Sequence, residues 1–356
     1  MRYLFPLSPW NQQRQFQKPV WVYPAHLAMY ATYLRNQGHH VEWDENKGYH
    51  FRAEDWFNKF HREGFYKIIE NDFQIDVDFN KLPFPNREFT DGKNKRWQSY
   101  GNYKFHPATH MMASNLCWWG KCTFCIDTYK LEHGEPQQTR SVAHVMEEID
   151  NLIANGYKEV FDDSGTFPVG KWLDDFCSEM RKNNRNKKIK VGCNMKPVKL
   201  DFDMMKEAGF RFILVGVESA NQKTLDIIRK GQHQANVTKN IKAMADVGLE
   251  PHITSMTSYP WETEEEEKNT RDYFQFLLRK GYAKTGQVSI YNPPRTAPDP
   301  KSIGHSRVPL YYDVYKHPEF WYNKIKDIKC WEDFTYLARG VRLVVEEHWR
   351  KFCHII

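Results

Sequence analysis

The stretch "NLCWWGKCTFCID", residues 115–127, brings Cys117, Cys122 and Cys125 within nine positions. The other four of the seven cysteines, Cys177, Cys193, Cys330 and Cys353, stand alone. An odd count with one tight group is not a disulfide framework. Thiolates this close together on one loop suit zinc or an iron–sulfur cluster. A structural zinc site closes with four ligands, and the nearest candidates for a fourth are His110 and His133. A four-iron cluster held by three cysteines leaves one iron open to a substrate or cosubstrate.

The surroundings of this loop set its place in a fold. "THMMAS" (109–114) reads as a strand leading into it, and strand-like runs then alternate with helical ones. The strands are "EVFDD" (159–163), "KIKVGCN" (188–194), "RFILVGVES" (211–219), "EPHITSM" (250–256) and "QVSIY" (287–291). Between them, residues 141–155 put Val142, Val145, Met146, Ile149, Leu152 and Ile153 on one stripe of a helix. Further helices are predicted over 169–182, near 201–208, and over roughly 221–230, 234–247 and 264–280, the last opened by Thr263 and Glu266 as a capping box. Strand–helix alternation predicts a parallel sheet with right-handed crossovers. Six units fall short of a closed eight-stranded barrel, so the expectation is an α/β fold: a partial (βα)6 TIM-like barrel. The cysteine loop then follows the first strand, at the carboxyl edge where active sites of such folds form.

The flanks have a different texture. Residues 1–71 are expected to form a small α/β region, with strands at 20–23, 40–43 and 65–69 and helices at 26–38 and 53–64. Residues 72–108 lose periodicity, carry Pro83, Pro85, Gly92 and Gly101, and read as a linker over the surface. The barrel is expected over 109–297 and a helical C-terminal extension over 298–356. With 40% hydrophobic and 27% charged residues, the chain has a globular balance rather than a disordered one. No apolar run approaches the ~20 residues that cross a bilayer, and the start lacks the apolar core of a signal peptide. The expectations are a cytoplasmic protein and no membrane partner. The basic run "RKNNRNKKIK" (181–190) reads as a solvated connection on the face opposite the active site rather than a nucleic-acid patch.

These features together resemble the radical S-adenosylmethionine (SAM) superfamily, whose CxxxCxxC loop after the first barrel strand holds a [4Fe–4S] cluster. "KCTFC" matches the end of that motif, with Phe124 in the aromatic position. The spacing departs from it: four residues, "WWGK", separate Cys117 and Cys122 where the common pattern has three, and Gly120 is the position that could absorb the extra residue. "RFILVGVESANQKTLDIIRKG" is similar to the fourth strand and following helix of the subgroup that often carries a cobalamin-binding domain. "VFDDSGTF" resembles the second-strand end, and "SYPWET" (258–263) and "IYNPPRTAP" stand where the family has "GLPGET" and "PYPGTP".

The resemblance implies Cys117, Cys122 and Cys125 as cluster ligands. It implies Asp163, Ser164, Gly165, Gly216, Glu218 and Ser219 as SAM-binding residues, with Asp162 or Asp163 facing the lumen. It also implies reductive cleavage of SAM to methionine and a 5′-deoxyadenosyl radical, and an electron donor such as flavodoxin or ferredoxin. Trp118 and Trp119 are candidates to shield the cluster, Trp261 to cover the site, and Asn292 and Arg295 to line it. Cys193 reads as a core residue, and Arg229 and Lys230 as helix-end charges. The substrate (a small molecule, peptide or RNA) and the catalytic residues acting on it are unassigned. Residues 23–46 resemble the start of the family's cobalamin domain, but the Asp-x-His-x-x-Gly loop is absent, and the segment is expected to be a shortened remnant without cobalamin. The other readings are a cobalamin-dependent radical SAM methyltransferase or methylthiolation enzyme, and a zinc-stapled binding protein on a degenerate barrel.

Overall fold

A computed structural model describes residues 2–6, 25–44, 67–68, 77–88, 103–291 and 308–353 of the chain. Three short strands, β1 (Arg2–Pro6), β2 (His40–Asp44) and β3 (Lys67–Ile68), form a parallel sheet in the order β2-β1-β3. The sequence does not predict β1: five residues ending in proline give too short an apolar run to separate strand from loop. The expected strand at 20–23 and helix at 53–64 lie outside the described residues. Helix α1 (Ala25–Asn36) ends at Gly38, whose φ of 79° suits a helix terminus. It buries Leu27, Met29 and Leu34 against Val41, Phe79, Leu82 and Met112. Phe79, Leu82 and Arg87 therefore turn inward, where the sequence predicts only a surface linker. Arg87 and Arg140 both bond the buried Glu148, at 2.8 and 2.6 Å.

Six parallel strands follow: β4 (Ala108–Met111), β5 (Glu159–Asp162), β6 (Lys190–Met195), β7 (Phe210–Glu218), β8 (Glu250–Thr257) and β9 (Thr285–Ile290). Their order in the sheet is their order in the chain, so every crossover runs to the adjacent strand and the sheet curls into a half-barrel. The helices are α2 (Ile126–Glu132), α3 (Val142–Ala154), α4 (Lys171–Arg181), α5 (Arg185–Lys188), α6 (Phe202–Glu207), α7 (Gln222–Ile227), α8 (Gln234–Asp246) and α9 (Glu264–Arg279). After them come α10 (Val308–Tyr311), α11 (Pro318–Lys326) and α12 (Trp331–Cys353).

Strand alternation separates two faces. Val160, Val191, Cys193, Ile213, Val215 and Ile253 point toward the helices and pack with Val145, Ile149, Phe176 and Phe274 into the main core. Cys193 is a core residue, fully buried. The inner face carries a row of rings, His110, Phe161, Phe212 and His252, with successive centroids 5.4, 5.9 and 5.4 Å apart.

At the amino ends of the strands, Arg211 of β7 bonds Glu159 of β5 through Nε at 2.9 Å and Glu250 of β8 through Nη1 at 2.5 Å. Lys104 bonds Glu250 and reaches Asp333 of α12 at 2.5 Å. The C-terminal helix thus seals the floor of the half-barrel. The basic run lies at this same end of β6. Its Arg185 is buried and pairs with Asp150 at 2.6 Å. Among the described residues no helix is long and apolar enough to cross a membrane.

Candidate active site

The carboxyl edge of the sheet is built by pinning the exit of β4 onto the exit of β5. Ala113 N donates to Asp162 Oδ2 at 2.6 Å, and Ser114 N donates to Ser164 Oγ at 2.8 Å. Asp162 is fully buried, facing the same side as Val160, and burial raises its carboxyl to about 6 despite two backbone donors. Asp163, one residue on, turns to the open side. Water reaches it, yet the protein packed around it, followed by Asp162 and Asp127, pushes its carboxyl up to about 7. Of the two adjacent aspartates, Asp163 is the one open to a ligand. The Ser164 hydroxyl is committed to the backbone of β4. Gly165 leaves no room for a side chain, since a Cβ there would overlap Asp127 and touch Cys117.

The cysteine loop rests on these strand ends. Cys117 N donates to Asp127 Oδ2 at 2.8 Å, and its thiol to Thr166 Oγ1 at 3.1 Å. Cys125 N donates to Cys122 O at 3.1 Å, and Cys125 is the residue that opens α2. Thr123 N donates to Ile228 O at 3.1 Å, which docks the loop on the turn after α7. Burial raises the Cys122 thiol, while Lys230 and Lys196 draw it back down; burial raises Cys125 to about 11. At Cys122 the two lysines act in the direction that favours thiolate, as a cationic metal would, against the larger effect of burial.

Lys230 is read from the sequence as a helix-end charge. In the fold it turns inward, and its Nζ lies 2.6 Å from Glu218 Oε1. Glu218 holds a left-handed φ of 64° at the end of β7, which presents its carboxylate toward Lys230. Gly216 lies beneath this pair, and a Cβ on it would overlap both charged ends. Lys196, just past β6, is 7% exposed. Burial brings its ammonium down to about 8. Sequence reasoning missed it; its position immediately after a barrel strand was the available signal. Arg229 is exposed.

Ser219 is buried and donates to Glu262 Oε1 at 2.8 Å, an oxygen that also takes Asn221 and Thr224. Its hydroxyl shapes the turn after β8. In that turn Ser258 has φ 66°, so a serine takes the left-handed conformation at the first position of "SYPWET". Trp261 donates to Thr224 Oγ1 at 3.1 Å and joins Tyr259, Tyr291 and Phe124 in an aromatic cluster beside the cysteine loop. Asn292 and Arg295 lie outside the described residues.

The two histidines considered as zinc ligands are engaged elsewhere. His110 Nδ1 lies 2.5 Å from the Tyr103 hydroxyl, and His133 stacks on Tyr129 with ring centroids 3.9 Å apart. Among the described residues, no three His, Cys, Asp or Glu side chains gather where they could hold one metal ion.

A sequentially ordered parallel half-barrel with three cysteines on the loop after its first strand defines a class of fold and site. Residues 111–274 match the family model of the radical SAM superfamily. That stretch, 164 of the 356 residues, runs from the last residue of β4 into α9 and is similar to the superfamily. Similar solved structures include the radical S-adenosylmethionine methyltransferase TsrM from Kitasatospora setae, at 16% identity and a TM-score of 0.45, over 60% of this chain and 39% of that one. The cobalamin-dependent S-adenosylmethionine radical enzyme OxsB is 17% identical with a TM-score of 0.46, over 70% and 34%. Methylornithine synthase is 13% identical with a TM-score of 0.44, over 66% and 68%. The chain thus spans little more than a third of the first two. No curated protein matches it.

Proposed function

We propose that this chain binds a [4Fe–4S] cluster on Cys117, Cys122 and Cys125 and positions SAM across the carboxyl ends of β5 to β8. The observation that carries the reading is the pairing of three thiols on one loop with two inward lysines, Lys196 and Lys230. The donor set fits a cluster, because each cysteine serves a separate iron, whereas a zinc ion requires ligands converging on one point. When bound, the cluster supplies the electron that cleaves SAM.

The chain's own residues hold and orient. Asp163 is the open carboxylate for the SAM amino group. Glu218, over Gly216, presents a second carboxylate, and Lys230 fixes its direction. Gly165 and the backbone at Ser164 and Ser219 contribute shape rather than hydroxyl contacts. Trp261, Tyr259 and Tyr291 exclude water from the mouth near Phe124. The reductant is a protein donor of the flavodoxin or ferredoxin kind, and the setting is the cytoplasm, consistent with the free cysteines among the described residues. The N-terminal region is proposed to take no cobalamin.

Anaerobic reconstitution tests the reading. About four iron and four sulfide per chain are expected, with slow release of 5′-deoxyadenosine on adding dithionite and SAM. Stoichiometric zinc without sulfide would overturn it in favour of a zinc-stapled protein.

A further inference from the structure

The spacer between Cys117 and Cys122 is "WWGK", one residue longer than the common pattern, and its two indoles do different things. Trp118 donates from Nε1 to Phe167 O at 3.0 Å, on the loop after β5. Trp119 donates from Nε1 to Arg229 O at 3.1 Å, on the turn after α7. Their rings stand nearly perpendicular, at 88°, with centroids 6.3 Å apart. Between these anchor points lies Lys196, immediately after β6. Its Nζ sits 2.9 Å from the centroid of the Trp119 ring and donates to Lys230 O at 2.8 Å. Lys121 Nζ lies 5.1 Å from the same centroid. Gly231 has φ 59° and faces the far edge of the indole, where any Cβ would overlap the ring. Gly120, at φ 52°, makes the turn that returns the chain to Cys122.

We infer that Trp119 is the residue that absorbs the extra position in the spacer, and that Gly231 and Lys196 lock its indole so that Cys122 is held in place for the cluster. The reason is geometric. A spacer of this length must bulge, and a free bulge would let Cys122 wander. Here the bulge is filled by a ring whose edge meets a glycine, whose N–H meets a carbonyl and whose face meets an ammonium. Three contacts, two from the turn after α7 and one from the end of β6, fix it. Lys196 has a second consequence. Its ammonium is nearly buried and, among the described residues, has no carboxylate within ion-pair distance. A buried cation without a counter-charge is costly, and here the face of the Trp119 ring and the Lys230 carbonyl receive it. Lys196 is thus a positioning residue for the loop and a standing positive charge beside the cluster.

This inference rests on the cluster reading above, and the test separates the two. In the apoprotein, alkylation of Cys122 is followed by mass spectrometry, with the buried Cys193 as the report on overall folding. Trp119→Ala is expected to expose Cys122 roughly ten-fold faster, the scale of one desolvated cation–π contact, with Cys193 still protected. Trp119→Phe, which keeps the ring against Gly231, should fall between parent and Trp119→Ala. In the reconstituted protein, Lys196→Met should move the cluster's reduction potential to more negative values, and Lys196→Arg should restore it. If the parent binds no iron and sulfide, the cluster reading fails. If the parent binds the cluster but Trp119→Ala matches it in Cys122 protection and Lys196→Met matches it in potential, the lock is wrong while the cluster reading stands. Should Trp119→Ala also expose Cys193, the Lys196 pair decides.

Discussion

Lys230 Nζ and Glu218 Oε1 meet at 2.6 Å over Gly216, the two side chains only 14% and 8% exposed. Twelve residues and the helix α7 separate them in the chain. Glu218 has a left-handed backbone that a non-glycine residue adopts at a cost of about 1–3 kcal/mol. The pair compensates that strain and aims the carboxylate.

Glu218→Ala strands the Lys230 ammonium in a buried position. The expected outcome is a loss of roughly 3–5 kcal/mol in stability and at least about ten-fold weaker SAM binding, the loss of one charge-assisted contact. Iron content should hold. Isothermal titration with SAM and iron analysis on the same sample check this. A variant that binds SAM like the parent would remove Glu218 from the cosubstrate site.

The cysteines separate by place in the fold. Cys122→Ala should abolish most iron and sulfide binding. Cys177→Ala, in the core on α4, should leave both unchanged, with a cost of about 1 kcal/mol for the small cavity. Paired iron and sulfide assays after anaerobic reconstitution give the answer. Equal metal content in the two variants would detach the cluster from the loop.

Much of the barrel was legible because its strands are short, apolar and separated by amphipathic helices. "RFILVGVES" reads as one strand and is β7 almost to the residue. Counting six such units sufficed for an open sheet. The loop thiols were legible because their spacing is local. What escaped depends on distant contacts. For Lys196 the one local signal was its place just after β6, and nothing near 230 marks Lys230 as inward-facing, since its partner Glu218 arrives only when the turn after α7 folds back onto the end of β7. Alternation states that Asp162 and Asp163 point opposite ways, but not which way; Val160, packed on the helices, decides it. Ser164 and Ser219 match a motif, yet their hydroxyls bond Ser114 N and Glu262. Motif matching does not distinguish a side chain that binds a ligand from one that shapes the backbone.

Asp162 gives a pH dependence whose sign follows from its burial. Its folded-state value, about 6, lies above the usual carboxylate range, so the native state holds a proton that the unfolded chain releases near pH 4. The stability this group contributes is present below about pH 4 and is lost as pH rises through about 6, by up to roughly 3 kcal/mol. Urea unfolding of the parent and Asp162→Asn across this window should differ in slope, with the variant flatter. Equal slopes would mean that Asp162 titrates near its ordinary value.

The floor of the half-barrel is a second place where one residue carries much of the structure. Arg211 serves both Glu159 and Glu250, and the same carboxylates connect through Lys104 to Asp333 on α12. Arg211→Met leaves the buried Glu159 carboxylate without its cation and Glu250 with Lys104 alone. A loss of about 3–5 kcal/mol is expected, together with faster hydrogen exchange along α12. A variant that unfolds at the parent's urea midpoint would show that the tail is held by its apolar contacts instead.

The N-terminal sheet carries the last prediction. Its described strands run parallel in the order β2-β1-β3, with α1 packed against Phe79, Leu82 and Met112 rather than left open to a ligand. A doubly wound domain places its ligand in a crevice outside the carboxyl ends of the strands, where the strand order reverses. Here β1 is the central strand, so such a crevice would sit beyond Pro6, between β1 and one neighbour. The sequence offers no Asp-x-His-x-x-Gly loop to supply a lower ligand to cobalt, and His40 stands at the start of β2, the opposite end of the strand from that crevice. Little cobalamin is therefore expected to remain after incubation with hydroxocobalamin and desalting, read from its visible absorption. Retention near one equivalent would reverse the reading of this region and move the proposed function toward a cobalamin-dependent methyltransferase. Tight binding that survives His40→Ala would further place the cobalt ligand elsewhere.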